Sequence, residues 1–119
     1  MRLAAVMVGG AFGALARWAL ELAIPPVGGF PLATFLINVT GAFALGVVGV
    51  LLLERLPPTR YLRPLLGIGF LGAYTTFSTF TFETVRLLED GAWRYATWNL
   101  ALSGPLSFAG ALAAFLTLR

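Results

Sequence analysis

The chain has 119 residues, of which 59% are hydrophobic and only 11% are charged, whereas a soluble domain carries about a quarter charged residues. The composition therefore predicts a membrane protein. Cysteine, histidine and lysine are absent, which removes thiolate and imidazole metal sites, cysteine nucleophiles and lysine Schiff bases and argues against an enzyme. The net charge of +3 comes from eight arginines against five acidic residues, and no basic run suits nucleic acid.

The apolar residues fall into four long blocks. Since about 20 helical residues cross the hydrocarbon core of a bilayer, four spans with short connections use nearly the whole chain. We predict an all-α integral membrane protein with a single four-helix transmembrane domain over residues 1–119. Its spans are predicted at about residues 3–23, 32–53, 61–88 and 93–118.

The first span contains a Gly-x-x-x-Gly pair, Gly9 and Gly13, that lets another helix approach closely. Arg17 follows four residues later on the same face, near the far end of the span. Two interpretations stay open. Arg17 is an interfacial anchor paired with Glu21 one turn on, or it is a cationic residue at a vestibule that draws anions inward.

Asn38 lies well inside the second span, and a carboxamide at that depth requires hydrogen-bond partners or water. Thr34 and Gly41 lie about one turn before and after it, so this face of the helix is small and polar. Asn38 either joins two helices by hydrogen bonding, or its NH₂ group offers two donors to a passing anion.

The third span is longer than one straight crossing needs, and it is predicted to be interrupted near its middle. Gly67, Gly69 and Gly72 mark where the helix loosens, and the β-branched and aromatic residues that follow are poor for an isolated helix. An interruption inside a membrane is tolerated only where the backbone is buried in protein or lines a water-filled cavity. Carbonyls freed between Gly72 and Thr75 are able to ligate a cation, as in other transport proteins.

Phe77 and Phe80 are three residues apart, so they are neighbours on one helix face. The edge of an aromatic ring is electropositive, so two ring edges can meet an anion, although pairs at this spacing are usually packing contacts. Ser78 and Thr79 supply hydroxyl donors unless they bond back to their own helix. Glu83, about one turn further on, is either an interfacial carboxylate or the guard of a pore mouth.

The fourth span carries a polar residue at every fourth position. Because each polar group in lipid needs a partner, this track faces either protein, as hydrogen-bonded glue between helices, or a wet path. The members of the track are Tyr95, Asn99, Ser103 and Ser107.

Four spans place both termini on one side of the membrane, together with the charged connection between the second and third spans. Five arginines lie on that side and two on the other, with Arg17 ambiguous, so the positive-inside rule favours both termini in the cytoplasm. The first set is Arg2, Arg55, Arg60, Arg63 and Arg119, and the second is Arg86 and Arg94.

Three motifs of the chain resemble those of the Fluc (CrcB) family of fluoride channels. They are GGAFGALAR at Gly9 to Arg17, INVTGAF at Ile37 to Phe43, and GAYTTFSTFTFE at Gly72 to Glu83. The last motif is the most specific, and the resemblance extends over all four spans. It implies a passive, fluoride-selective channel in the inner or plasma membrane of a prokaryote, which exports cytoplasmic fluoride down its electrochemical gradient and so reduces fluoride toxicity.

The resemblance also implies roles for individual residues. Asn38 would donate to fluoride, and Phe77 and Phe80 would present their ring edges to it. Asn99 departs from the serine expected in the polar track. The remaining residues of the implied route are Ser78, Thr79, Tyr95, Ser103 and Ser107, with Arg17 and Glu83 at the vestibule.

An assembly is implied as well. Members of the family are dimers whose two subunits insert in opposite orientations and form two parallel pores. One structural Na⁺ at the dimer centre would be bound by the carbonyls of Gly72 and Thr75 from both subunits. The excess of arginine on one side departs from the near-neutral bias expected for dual insertion, so a heterodimer with an oppositely oriented relative is the alternative to a homodimer.

Two other functions fit parts of the sequence. A small proton-coupled multidrug or cation exporter also has four short spans, but it needs a titratable carboxylate deep in the membrane, and the five acidic residues lie near span ends. A non-conducting assembly subunit would explain the glycine faces but not the polar positions within the spans. The acidic residues are Glu21, Glu54, Glu83, Glu89 and Asp90.

Overall fold

The computed structural model describes residues 2–55 and 61–118. Arg60 and Arg119, which contribute to the predicted orientation, lie outside the described residues. Within this part of the chain, four helices are long and apolar enough to cross a membrane. The prediction of an all-α protein with four transmembrane helices is confirmed.

The described residues form five α-helices and two π-helical segments. In a π-helix each amide donates to the carbonyl five residues back, and such segments are rare and short. One of them continues the second span, and the other opens the third. The helices are α1 (Arg2–Ala23), α2 (Leu32–Val50), α3 (Gly72–Tyr74), α4 (Phe77–Glu89) and α5 (Trp93–Leu118), and the π-helical segments are Leu51–Arg55 and Arg63–Leu71.

The third span, Arg63–Glu89, is interrupted in its middle. Between α3 and α4 the backbone is extended at Thr75 (φ −80°, ψ 155°) and Thr76 (φ −150°, ψ 115°), and we call these two residues the break. Gly67 and Gly69 lie earlier, inside the π-helical segment. Helical hydrogen bonding thus continues through the glycines in a wider register and stops only at the two β-branched residues.

α1 packs mainly along the π-helical segment Arg63–Leu71. A Cβ atom added at Gly9 would overlap the carbonyl of Leu65, and one added at Gly13 would overlap the carbonyl of Phe70. The Gly-x-x-x-Gly pair of α1 therefore lies directly against the backbone of the third span. This contact fixes the first half of that span, up to α3, relative to α1.

α2 packs mainly on α5. Gly46 allows the close approach, since a Cβ added there would lie 2.8 Å from the Cβ of Ala114. Arg55 donates to the carbonyl of Leu118, which joins the end of the second span to the end of the fourth. α4 packs on α5 from its own side of the break. The spans therefore associate chiefly in two pairs, the first with the third and the second with the fourth.

The connection from α1 to α2 is a tight turn closed by two hydrogen bonds of 3.0 Å between Val27 and Phe30. Gly28 (φ 63°) and Gly29 (φ 99°) adopt left-handed backbone conformations, which glycine tolerates because it has no Cβ. The ring of Tyr95, at the start of α5, packs over this turn with its centroid 6.5 Å from that of Phe30.

Much of the outer surface is formed by large apolar side chains. Phe108 is 71% exposed and Leu116 is 75% exposed. So many exposed large apolar side chains indicate contact with a membrane or with partner proteins, and the helix lengths match a bilayer. The chain is a multi-pass membrane protein, as its composition predicts.

Candidate functional site at the interrupted third span

Asn38 of α2 binds both backbone polar groups of one residue of the break, Thr76. Its Nδ2 donates to the carbonyl of Thr76 at 2.9 Å, and its Oδ1 accepts from the amide of Thr76 at 2.8 Å. These are the contacts that Asn38 needs at this depth. They use one of its two Nδ2 hydrogens, and the second has no partner among the described residues.

Thr76 also begins α4 as its N-cap residue. Its hydroxyl oxygen accepts from the amide of Thr79 at 3.2 Å, which satisfies one of the free amides at the start of a helix. The same hydroxyl donates to Thr79 Oγ1 at 3.1 Å and lies 3.4 Å from Ser78 Oγ. Three hydroxyl groups are thereby gathered at the first turn after the break.

The carbonyls of Gly72 and Thr75 lose their usual helical partners at the break. A continuous helix would direct the amide of Thr76 to Gly72 and the amide of Thr79 to Thr75. The first amide instead donates to Asn38, and the second donates to the Thr76 hydroxyl. Gly72 is exposed and Thr75 is half-buried, so both carbonyls are available to a ligand from outside the helix.

Arg17 of α1, the helix that packs on the third span, reaches the same region. Its Nε donates to the carbonyl of Ala73 at 3.1 Å. Its Nη1 lies 3.5 Å from Glu21 Oε1, so the predicted pair one turn apart is present. The guanidinium therefore lies beside the break and is also paired with Glu21.

Phe77 and Phe80 form an aromatic pair at the start of α4. Their ring centroids are 5.8 Å apart and the rings are tilted by 48°. Phe77 is 77% exposed and Phe80 is half-buried. The pair follows the break immediately in the chain, so both residues lie within about one helical turn of Thr76, the residue that Asn38 binds.

Glu83 lines a cleft of about 180 Å³ between α1, α2 and α4. Thr34, Thr79 and Glu21 line the same cleft. The Oε1 atoms of Glu21 and Glu83 are buried and accept no hydrogen bond in the described part of the chain. The cleft therefore collects two carboxylates and two hydroxyls next to the first turn of α4.

Asn99 and Ser103 form a buried polar chain between α4 and α5. Asn99 Nδ2 donates to Thr84 Oγ1 at 2.9 Å, and Ser103 Oγ donates to Asn99 Oδ1 at 3.0 Å. Thr84 Oγ1 in turn donates to the carbonyl of Phe80 at 2.8 Å. Asn99 is fully buried. These residues join α4 to α5.

Tyr95 and Ser107, the outer members of the polar track, lie in other surroundings. Tyr95 packs on the turn between α1 and α2, and the guanidinium of Arg94 lies 5.4 Å from its ring centroid. Ser107 is half-buried on α5, one turn beyond Ser103. The structure thus brings together the middle of the track, and neither end contacts the break in the part of the chain that the structure describes.

Three contributors to this region are not apparent from the sequence alone. Thr76 acts through its backbone and as a helix cap, Thr84 completes the Asn99 chain, and Glu21 shares the cleft with Glu83. Only Thr76 has a recognisable signal, since threonine is a preferred N-cap residue where a helix resumes. The other two depend on helix pairing that spacing does not specify.

A protein-family model described as "CrcB-like protein, Camphor Resistance (CrcB)" matches residues 4–116. The chain belongs to the CrcB family. This membership confirms the family that its three motifs indicate. Nothing in the comparison supports the proton-coupled exporter.

Several bacterial relatives of the CrcB chain are named as channels. It is 52% identical over 99 residues to "Fluoride-specific ion channel FluC 3" of Streptomyces avermitilis, covering 82% of this chain and 48% of the relative. It is 55% identical over 95 residues to "Fluoride-specific ion channel FluC 1" of Mycobacterium bovis, covering 79% and 72%. It is 42% identical over 120 residues to "Fluoride-specific ion channel FluC" of Magnetococcus marinus, covering 99% and 95%. The chain thus spans about half the length of the first relative and nearly all of the third.

Proposed function

We propose that this CrcB protein is a fluoride-specific ion channel that lets fluoride leave the cytoplasm passively. The observation that carries the proposal is the arrangement at the break, where Asn38 binds the backbone of Thr76 and the aromatic pair Phe77 and Phe80 follows at once in the same membrane-spanning segment. The names of its relatives support fluoride as the ion. A channel of this kind lowers the internal concentration of a toxic anion without chemistry on the substrate.

Selectivity in this proposal comes from the replacement of hydration by a few fixed donors. Asn38 supplies its second Nδ2 hydrogen, because the first is committed to Thr76. Phe77 and Phe80 supply the electropositive edges of their rings. The hydroxyls of Ser78 and Thr79 lie at the adjoining turn and offer further donors. A small, strongly hydrated anion requires several such groups at close range.

The proposed functional unit is a dimer in the lipid bilayer with its subunits in opposite orientations. Phe77 supports an assembly of this kind, since its ring is 77% exposed beside the polar break and not on a purely apolar face. A second copy would cover this ring and bring its own polar track, including Ser103 and Ser107, to the route. A heterodimer with an oppositely oriented relative meets the same requirement.

Sodium is proposed as a structural ion at the dimer centre. The available oxygen ligands on this chain fit a hard monovalent cation, because the carbonyls of Gly72 and Thr75 have lost their helical amide partners and Gly72 is exposed. Two carbonyls from each subunit would supply four oxygen ligands. When bound, the ion would hold the two breaks together by electrostatic attraction to these carbonyls.

Ion efflux from liposomes tests the proposed function. Purified protein is reconstituted at about one dimer per vesicle, and fluoride and chloride are followed in parallel by selective electrodes while valinomycin carries potassium. We expect rapid release of fluoride and retention of chloride. Retention of both anions would overturn the proposal.

Replacement of sodium by N-methylglucamine on both sides of the membrane tests the structural ion. We expect slower fluoride release and weaker dimerisation together.

A further inference from the structure

Glu21 lies between the two other charged side chains near the break. On one side, its Oε1 is 3.5 Å from Arg17 Nη1. On the other, it lines the cleft of about 180 Å³ together with Glu83. The formal charges of the three side chains sum to one negative charge. This is an unexpected balance at the edge of a pathway proposed to carry anions.

Arg17 is held in place by a contact that does not involve Glu21. Its Nε donates to the carbonyl of Ala73 at 3.1 Å, on the third span. The distance to Glu21 is longer than the 2.7–2.9 Å that is typical of a charge-assisted hydrogen bond. Glu21 therefore acts on Arg17 mainly through its charge, and removal of that charge leaves the guanidinium beside the break.

The cleft that Glu21 lines adjoins the break through Thr79. Thr79 lines the cleft, and its Oγ1 accepts from Thr76 Oγ1 at 3.1 Å. Thr76 is the residue that Asn38 binds on both sides. An anion that enters through the cleft thus reaches the hydroxyls of α4 while it is still within the electrostatic range of Glu21.

We propose that Glu21 limits anion entry at this mouth by lowering the local electrostatic potential. Its carboxylate offsets the charge of Arg17 and adds to that of Glu83, so an anion occupies the cleft less often than Arg17 alone would allow. The inference rests on the proposed channel function. In this inference Glu21 controls the rate at which anions enter the cleft, whereas Asn38, Phe77 and Phe80 recognise the ion.

Fluoride flux through the Glu21→Gln variant is the first test. Glutamine keeps the shape of the side chain and removes its charge. At low ionic strength and subsaturating fluoride, we expect flux to rise about threefold, as expected for one unit charge at about 6 Å in water. At 1 M salt, where the screening length is about 3 Å, the gain should disappear. An unchanged or lower flux at low salt, or a gain that persists at 1 M salt, would contradict the proposal.

A thiol reporter measures the potential without any need for fluoride flux. The natural chain has no cysteine, so Ile24→Cys, at a half-buried position that lines the cleft, gives a single reactive site. The probes are an anionic and a cationic methanethiosulfonate of similar size. Glu21→Gln should raise the ratio of anionic to cationic labelling rates about tenfold, since the two rates change in opposite directions.

Glu21→Asp is the matched control, because it keeps the charge with a shorter side chain. We expect the parent labelling ratio in this variant. A ratio that stays constant in Glu21→Gln, or one that changes equally in Glu21→Asp, would overturn the role of charge at Glu21. A parent protein that releases no fluoride would instead overturn the proposed channel function, and the labelling ratio would still decide the role of Glu21.

Discussion

Asn38 forms hydrogen bonds with both backbone polar groups of Thr76. Its Nδ2 lies 2.9 Å from the carbonyl oxygen, and its Oδ1 lies 2.8 Å from the amide nitrogen. The asparagine takes the place that the next strand of a sheet or the next turn of a helix would occupy for this residue. Buried backbone groups need such partners, and in a bilayer the requirement is strict. The break is therefore compatible with a membrane because of one side chain from another span.

Replacement of Asn38 tests whether it serves the ion as well as the backbone. Asn38→Asp keeps an acceptor for the Thr76 amide, but it removes both Nδ2 hydrogens and brings negative charge to the path. We expect fluoride efflux to fall at least about tenfold, which corresponds to about 1.4 kcal/mol of lost anion stabilisation. Fluoride efflux from liposomes measures the decrease, and the size-exclusion elution profile tests whether the variant is folded.

Thr40→Val is a control on the same helix. Thr40 is exposed, and its hydroxyl donates to the carbonyl of Leu36 at 2.6 Å and lies 3.1 Å from the hydroxyl of Tyr74. Neither contact involves Asn38 or Thr76, so its loss should leave efflux near the parent rate. If a folded Asn38→Asp protein conducts normally, Asn38 serves only to hold Thr76.

Phe80→Ala tests the ring-edge contribution of the aromatic pair. Removal of one ring from the pair at 5.8 Å leaves the anion with fewer electropositive edges, and we expect fluoride efflux to fall at least about tenfold while the protein stays folded. Phe82→Ala is the control, because Phe82 lies on the same helix, is 62% exposed and is not part of the pair. Equal efflux in the two variants would show that Phe80 acts by packing alone.

Asn99→Leu tests the buried polar chain between α4 and α5. Leucine has a similar size but cannot donate to Thr84 or accept from Ser103, so the Ser103 hydroxyl loses its acceptor. We expect a loss of about 1–3 kcal/mol in the free energy of unfolding, the usual cost of an unsatisfied buried group. Unfolding in mixed micelles with increasing denaturing detergent measures it.

Thr97→Val serves as the comparison for Asn99→Leu. Thr97 is an exposed residue of α5 that donates to the carbonyl of Trp93 at 2.8 Å in its own helix. Its replacement should change stability little. A stable Asn99→Leu protein would mean that neighbouring groups or water replace the lost hydrogen bonds.

Gly13→Ala tests the contact between α1 and the third span. The added Cβ would overlap the carbonyl of Phe70, and backbone cannot move aside as a side chain can. Overpacking of this kind costs about 1–3 kcal/mol. Gly104→Ala is the matched control, since a Cβ there meets nothing within 4 Å. Thermal unfolding in detergent should separate the two, and equal stability would show that α1 can shift.

The four spans and the interruption of the third could be predicted from the sequence because a bilayer imposes few solutions on the backbone. A run of apolar residues long enough to cross must be helical, and the Thr-rich segment after Gly72 is too β-branched to continue a helix unaided. The exact place of the interruption was less predictable. Gly67 and Gly69 suggest a loosened helix, but their lack of side chains serves close packing and a wider hydrogen-bond register.

Asn38, Phe77 and Phe80 could be identified from the sequence as candidates, because polar and paired aromatic residues within a span are unusual. Their partners could not. The contact between Asn38 and Thr76 joins residues 38 apart in the chain, and periodicity carries no information on which spans pair. Thr84 donates to the carbonyl of Phe80 one turn back, as many helical threonines do, and the bond that it accepts from Asn99 depends on the packing of α4 against α5.

The pairing of the first span with the third and of the second with the fourth has a consequence for how the protein is made. The two pairs interleave along the chain, so the first two helices to leave the ribosome contact each other little and each awaits a partner still to be synthesised. Neither half of the molecule is a self-sufficient folding unit. The glycine face of α1 is covered when the third span enters the membrane, and that of α2 only when α5 follows, so the bundle closes last at the pair of α2 and α5.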